Sequence, residues 1–152
     1  MKKIIHIAAK KGITIATAES CTGGMVAAAL TNVAGASVVF EYGFITYANA
    51  AKTKLLGVPE ALIKKHGAVS KQVAEAMAEG ARKKANATIA ISITGIAGPT
   101  GGSAAKPVGT VFIAVAAPQK TSVKKYLFSG TRAQIRKQAT EKALRLLAEE
   151  II

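Results

Sequence analysis

The chain has no tryptophan, a single cysteine (Cys21) and only two histidines, His6 and His66. One thiol excludes an internal disulfide and a zinc cage within the chain, and it fits a reducing cytosol. Neither histidine has a second His or Cys at ligand spacing, so no metal is expected, and neither supports a Ser-His-Asp triad. Long apolar runs are missing too: nothing approaches the ~20 residues of a membrane span. Met1-Lys2-Lys3 is a basic start, but Lys10-Lys11 interrupts the short run Ile4 to Ala9, which reads as a helix and not a signal peptide. The expectation is a cytoplasmic protein without membrane contact. There is no Gly-x-x-x-x-Gly-Lys-Ser/Thr and no Gly-x-Gly-x-x-Gly, so ATP and dinucleotide readings are weak and no cofactor is expected. Aromatics make up only 5% of residues against 50% hydrophobic, so Ala, Ile and Val must fill the core. That suits small-residue helices packed closely on a β-branched sheet.

Acidic residues are also scarce, with 8 against 21 Lys and Arg, for a net charge of +13 over 152 residues. The lysines come in scattered pairs on several elements, without a compact basic run interleaved with aromatics, which disfavours direct nucleic-acid binding. A solvated basic surface that draws in an anionic small-molecule substrate is the better reading.

Helical and strand patterns alternate. Met1 to Lys11 reads as a helix ended by Gly12, Ile13 to Ala18 as a strand, and Met25 to Asn32 as a helix. Val38–Phe40 and Gly43–Tyr47 read as strand. Asn49 is expected to cap a helix to Leu56, and Pro59 to open a short one to Lys65. Ser70 is a good N-cap for a helix with Val73, Ala74, Met77, Ala78 and Ala81 on one face and a Glu79–Lys83 pair on the other. Thr88 to Thr94 alternates in a way that makes one face of its strand tighter or more polar. Strands Thr110–Ala116 and Val123–Phe128 read as a hairpin, and a last helix follows Arg132. The length suggests one domain, 1–152, with a three-layer α/β/α architecture and a mixed, mostly parallel sheet. Alanine-rich helices leave faces that a second subunit would cover, so at least a dimer is expected.

Two stretches carry polar groups to strand ends. Thr17-Ala18-Glu19-Ser20-Cys21-Thr22-Gly23-Gly24 joins an apolar strand to a helix. At such a junction the first helical N–H groups are free to hold an anion or oxyanion, or a Ser or Thr caps them. Gly95 to Gly109 is a 15-residue loop with five glycines and two prolines, the shape of a ligand loop. Ser37, Tyr47 and Lys52 can meet near one sheet edge, where a desolvated lysine can act as a neutral base toward a serine. Cys21, at a helix N-terminus, is a rival nucleophile.

These motifs have a family likeness. Ala18-Glu19-Ser20-Cys21-Thr22-Gly23-Gly24, Thr46-Tyr47, Asn49, Lys52, Leu55-Leu56-Gly57-Val58, His66-Gly67-Ala68-Val69-Ser70, Thr94-Gly95-Ile96-Ala97-Gly98-Pro99 and Lys106-Pro107-Val108-Gly109-Thr110-Val111 together resemble the CinA C-terminal domain family. Its members include nicotinamide-nucleotide amidases, among them the stand-alone PncC proteins, and the likeness runs from about Ile13 to the last helix. It implies a metal-free deamidation of nicotinamide mononucleotide to nicotinate mononucleotide and ammonia, in pyridine-nucleotide recycling. It places the nucleophile at Ser37, with Ser20 as the competing serine, Lys52 as base and Tyr47 as its partner. Ser20, Thr22, Gly23, Thr46, Thr94, Gly95, Gly98 and Arg132 become the substrate-binding set. Ala50, Ala104-Ala105 and Thr100 depart from commoner residues of the family. An N-terminal domain found in larger members is absent from this sequence, so activity tied to that domain is not expected. The alternatives are a non-catalytic binding module of the competence or DNA-damage response, and an amidase for another small amide.

Overall fold

The computed structural model describes residues 2–152. In chain order the elements are α1 (Lys2–Lys11), β1 (Ile15–Glu19), α2 (Met25–Thr31), β2 (Phe40–Ile45), α3 (Asn49–Leu56), α4 (Glu60–His66), α5 (Lys71–Ala85), β3 (Ile89–Gly95), β4 (Thr110–Ala116), β5 (Thr121–Leu127) and α6 (Arg132–Ile151). The strands form one sheet in the order β2-β1-β3-β4-β5. β1 pairs in parallel with both β2 and β3, whereas β3–β4 and β4–β5 are antiparallel. Four strands thus run one way and β4 alone runs against them, which is the mixed, mostly parallel sheet expected.

Side chains alternate across the sheet with period two, and that alternation sorts the layers. On one face Ile15, Ile89, Ile91, Ile93, Val111 and Ile113 pack with α1, α2 and α6. On the other, Ala16, Ala18 and Ala90 meet Leu56, Ile63, Val73 and Met77 from α3, α4 and α5. This second face is the tight one. Ala74 and Ala78 of α5 lie against Ala114 and Ala116, and Ser92 Oγ donates to Ala74 O at 2.6 Å. The alanine faces of α5 are therefore spent inside the chain and offer no surface for a second subunit. Gly80 continues the theme: a Cβ there would run into the carbonyl of Leu56, so glycine is what lets α5 lie on the end of α3.

Several local expectations change. Residues 36–38 form a 3₁₀ turn, not a strand, because Gly35 turns the chain at φ 85°. One strand replaces two, ending at Ile45. A bulge at its start leaves Glu41 without a partner on β1. Asn49 is the first residue of α3 and makes no capping bond. Ser70 does cap α5, accepting from Val73 N–H at 3.3 Å. Glu79 accepts from the Thr121 hydroxyl at 3.0 Å instead of pairing with Lys83. Among the described residues the only ion pair is the exposed Lys124–Glu149. None of the described helices is long and apolar enough to cross a membrane.

Candidate functional site

The parallel pairing brings the carboxyl ends of β1, β2 and β3 together, the usual place for a site in such sheets. Glu19 stands level with Ile45 on one side and Ile93 on the other. Ser20, Thr46 and Thr94 therefore emerge at one edge. Alternation then decides which way each side chain turns.

Glu19 shares its face of β1 with Ile15 and turns toward α2. Its carboxylate, 1% exposed, accepts from the N–H groups of Gly24 (3.0 Å), Val26 (3.1 Å) and Ala27 (2.8 Å). The helix start is thus capped from within by a buried anion, which also complements the helix dipole. This corrects two expectations from the sequence: no Ser or Thr caps α2, and its amides are not free for a substrate anion or oxyanion.

Ser20 takes the opposite face, that of Ala16 and Ala18, and meets α3. Lys52 Nζ lies 3.2 Å from Ser20 Oγ and donates to the carbonyls of Thr46 (2.9 Å) and Tyr47 (3.3 Å). Lys52 is 1% exposed, with no carboxylate among its partners. Burial lowers its pKa below the ordinary lysine value of 10.5, opposed only by the nearby Cys21. The geometry suits a neutral amine. Two carbonyls, which can only accept, take the two N–H bonds. The lone pair is left pointing at the one neighbour with a proton to give, the Ser20 hydroxyl. Cys21 is less apt as a nucleophile: burial pushes its thiol up to about 11, outweighing Arg136 and Lys52, so it stays protonated at neutral pH.

A pocket of about 280 Å³ opens over the pair, lined by Ser20, Cys21, Tyr47, Asn49, Lys52, Ala68, Val69, Thr94, Gly95, Ile96, Ala97, Gly98, Thr100, Gly101 and Arg132. The 95–109 loop forms its far wall and is held from outside. Lys106 Nζ donates to His66 O at 2.7 Å, and Thr94 Oγ1 to Ala68 O at 2.8 Å. Arg132, at the start of α6, bridges the mouth, donating to Gly98 O (2.9 Å) and to the Tyr47 hydroxyl (2.8 Å). At Gly98, φ is 76° and a Cβ would strike Val108, so the loop closes this tightly only with glycine there.

Of the residues singled out from the sequence, the pocket gathers Ser20, Tyr47, Lys52, Thr94, Gly95, Gly98 and Arg132. It does not gather Ser37. That serine is exposed and precedes Phe40, which pairs with Ile15 at the opposite end of β1. The rise of β1 alone puts about 13 Å between the two ends. A larger hollow of about 650 Å³ lies at that end, lined by Lys2, Lys3, His6 and residues 33–35 and 38, without a nucleophile–base pair. Thr22 and Thr46 are buried away from the pocket, their hydroxyls without partners. Gly23 lies beside Arg136, whose guanidinium donates to the carbonyls of Cys21 and Thr22. The Tyr47 phenol reaches Arg132 and not Lys52; only its carbonyl serves the lysine. The wall residues Asn49, Ala68 and Val69 carry no signal as site residues beyond motif membership, whereas Ile96, Thr100 and Gly101 belong to the stretch read as a ligand loop. Among the described residues no group of three His, Cys, Asp or Glu is placed to hold a metal.

Comparison with known proteins shows which family shares this sequence and fold. The model of the CinA C-terminal domain matches residues 1–151. A CinA-like protein of Anaeromyxobacter dehalogenans strain 2CP-C is 55% identical over 139 residues, covering 91% of this chain and 34% of that protein. A CinA-like protein of Geobacter sulfurreducens is 52% identical over 143 residues, 94% of this chain and 35% of that protein. The chain thus spans about a third of the length of these curated relatives. Among solved structures, the competence/damage inducible protein CihA from Agrobacterium tumefaciens superposes with a TM-score of 0.94 at 43% identity, covering 97% of this chain and 90% of that one. A competence-damaged protein (CinA) superfamily protein from Klebsiella pneumoniae gives 0.94 at 33%, covering 99% and 94%. With nearly its whole length matched and relatives more than half identical, this chain belongs to the CinA C-terminal domain family.

Proposed function

We propose that the protein is an amidase that hydrolyses nicotinamide mononucleotide to nicotinate mononucleotide and ammonia, with Ser20 as nucleophile and Lys52 as general base. The observation that carries it is the buried Lys52 amine 3.2 Å from Ser20 Oγ, with its two other hydrogen-bond directions committed to carbonyls. The substrate follows from the motif likeness to nicotinamide-nucleotide amidases, and an anionic nucleotide suits a chain of charge +13.

In this reading Ser20 Oγ attacks the carboxamide carbon while Lys52 takes its proton. Lys52 then gives that proton to the departing nitrogen, and ammonia leaves. A water, deprotonated by the same lysine, opens the acyl ester and returns the serine. The oxyanion is left to the backbone N–H groups of Ala97, Gly98 or Cys21, since Ile96 N–H donates to Thr110 O and those of Gly24, Val26 and Ala27 are held by Glu19. Arg132 has N–H bonds left over beyond Gly98 and Tyr47 for the phosphate at the pocket mouth.

The test is ammonia release from nicotinamide mononucleotide. Ser20→Ala and Lys52→Ala should each lose activity by ~10³-fold or more, and Ser37→Ala should keep it. Full activity in Ser20→Ala with loss in Ser37→Ala would overturn the assignment, and no release by the folded unmutated protein would overturn the substrate. The net charge and the names of relatives favour a second reading, a binding module of the competence or damage response. That reading predicts DNA binding with a steep salt dependence and indifference to Ser20→Ala.

A further inference from the structure

The turn that carries the nucleophile is held on both its polar sides. On the amide side, Gly24, Val26 and Ala27 donate to the Glu19 carboxylate, Gly23 to Ser20 O at 3.1 Å, Met25 to Thr22 O at 3.3 Å, and Ser20 itself to Ile93 O at 2.9 Å. In residues 20–27 only the N–H groups of Cys21 and Thr22 are left without an oxygen acceptor among the described residues. Of these two residues, Cys21 lines the pocket. On the carbonyl side one side chain does the holding. Arg136 Nε donates to Cys21 O at 2.9 Å and Nη2 to Thr22 O at 3.0 Å. A planar guanidinium presents its N–H groups as a rigid fork, so bonds to two successive carbonyls set both the position and the angle of the turn. Nothing competes for that fork: no carboxylate pairs with Arg136 among the described residues. Gly23 leaves it room, since a Cβ there would stand 3.3 Å from Nη2. Arg136 lies one helical turn beyond Arg132 on α6, but it does not line the pocket. Its bonds go to the backbone that follows the nucleophile.

We infer that Arg136 is a positioning residue for this reaction: by fixing the Cys21 and Thr22 carbonyls it keeps the Cys21 N–H aimed at the developing oxyanion and Ser20 Oγ at Lys52. In a planar trans peptide the C=O and N–H point opposite ways. The Ser20 carbonyl turns inward to Gly23 N–H, so the Cys21 N–H turns outward. The next carbonyl, that of Cys21, is tied to α6. The turn is thus fixed from the peptides on both sides of Cys21. A donor on the residue after the nucleophile is in reach of the oxygen of the carbonyl under attack, and it stabilises the charge best when it is held there before the charge develops. Arg136 has this role only if Ser20 is the nucleophile, as proposed above.

Steady-state ammonia release from nicotinamide mononucleotide tests it, with Arg136→Met, Arg136→Lys and Gly80→Ala beside Ser20→Ala and the unmutated protein. Circular dichroism melts establish which variants are folded. Folded Arg136→Met should lose kcat on the order of 10²-fold, the cost of a misplaced donor, with KM nearly unchanged because Arg136 touches no part of the pocket. Arg136→Lys, which can keep one of the two bonds, should fall in between. Gly80→Ala, destabilised away from the pocket, should keep its kcat, which separates positioning from loss of stability. The rise of kcat/KM with pH should level off at the same pH in Arg136→Met as in the unmutated protein, since burial and Cys21, not Arg136, perturb Lys52. Unchanged kcat in folded Arg136→Met, a loss carried by KM, a displaced pH profile, or an equal loss in Gly80→Ala each overturns the inference and leaves Ser20 and Lys52 in place. If Arg136→Met does not fold, Arg136→Lys decides alone, and full kcat there overturns it. Full activity in Ser20→Ala, or no release by the folded unmutated protein, removes the proposed function itself and this role with it.

Discussion

Replacing Glu19 by glutamine probes the link between the helix cap and the nucleophile. The carboxylate accepts three backbone N–H bonds at 2.8–3.1 Å from a site 1% exposed. Glutamine has one acceptor oxygen. If that oxygen keeps Gly24 and Val26, the amide nitrogen is set against Ala27 N–H, donor to donor. An orphaned buried donor costs about 1–3 kcal/mol, and two surviving bonds lose charge assistance worth about 1 kcal/mol between them or somewhat more. Relief of the buried charge returns part of this. A net loss of about 2–3 kcal/mol is expected, which lowers Tm by roughly 4–12 °C for a domain of this size. Calorimetry or a circular dichroism melt measures it, with Ser37→Ala as an exposed control that should move Tm by no more than about 2 °C. Ser20 is the next residue, so kcat should fall more than KM changes, because the turn that sets Oγ against Lys52 loosens. An unchanged Tm in Glu19→Gln would refute the cap as described.

Gly80→Ala should destabilise by about 1–3 kcal/mol, against the usual gain for alanine in a helix, since the new methyl meets the Leu56 carbonyl; a melt that rises would contradict the packing. Cys21, buried and pushed up to about 11, should react with a thiol reagent at pH 8 only after denaturation; rapid labelling of the native protein would contradict its burial. Because burial lowers the Lys52 pKa and the neutral amine is the active form, kcat/KM should rise with pH and level off below pH 10.5. The sign for stability is the same: the unfolded lysine binds its proton more tightly, so this group costs stability at neutral pH and returns it as pH rises toward 10.5. A rate that falls on raising the pH through this range would count against a lysine base.

The fold was largely legible because its signals are local. Gly12, Gly57, Ser70 and the Ile-Ala alternation of 89–93 mark ends and faces without help from distant residues. The failures are three-dimensional. The motif at 18–24 marks a site, but only the parity of β1 shows that Glu19 turns to α2 while Ser20 turns to Lys52. The family likeness puts the nucleophile at Ser37, near Lys52, whereas parallel pairing sends the start of β2 to the far end of β1. The likeness makes Tyr47 the partner of the lysine; its carbonyl does meet Lys52, but its hydroxyl reaches Arg132 across 85 positions of sequence. Thr22 and Thr46 belong to the motifs yet are buried outside the pocket, and Gly23, which is exposed, lies beside Arg136; no residue identity announces either.

The central claim is that Ser20, activated by Lys52, carries the acyl group. Rapid acid quench of the protein with nicotinamide mononucleotide, followed by peptide mass mapping, tests it directly. Trypsin leaves Ser20 and Ser37 in one peptide, since no Lys or Arg lies between Lys11 and Lys52, so fragmentation must locate the adduct. The account predicts a nicotinoyl-nucleotide ester on Ser20 that Ser20→Ala cannot form. An adduct on Ser37 or on Cys21 would contradict it.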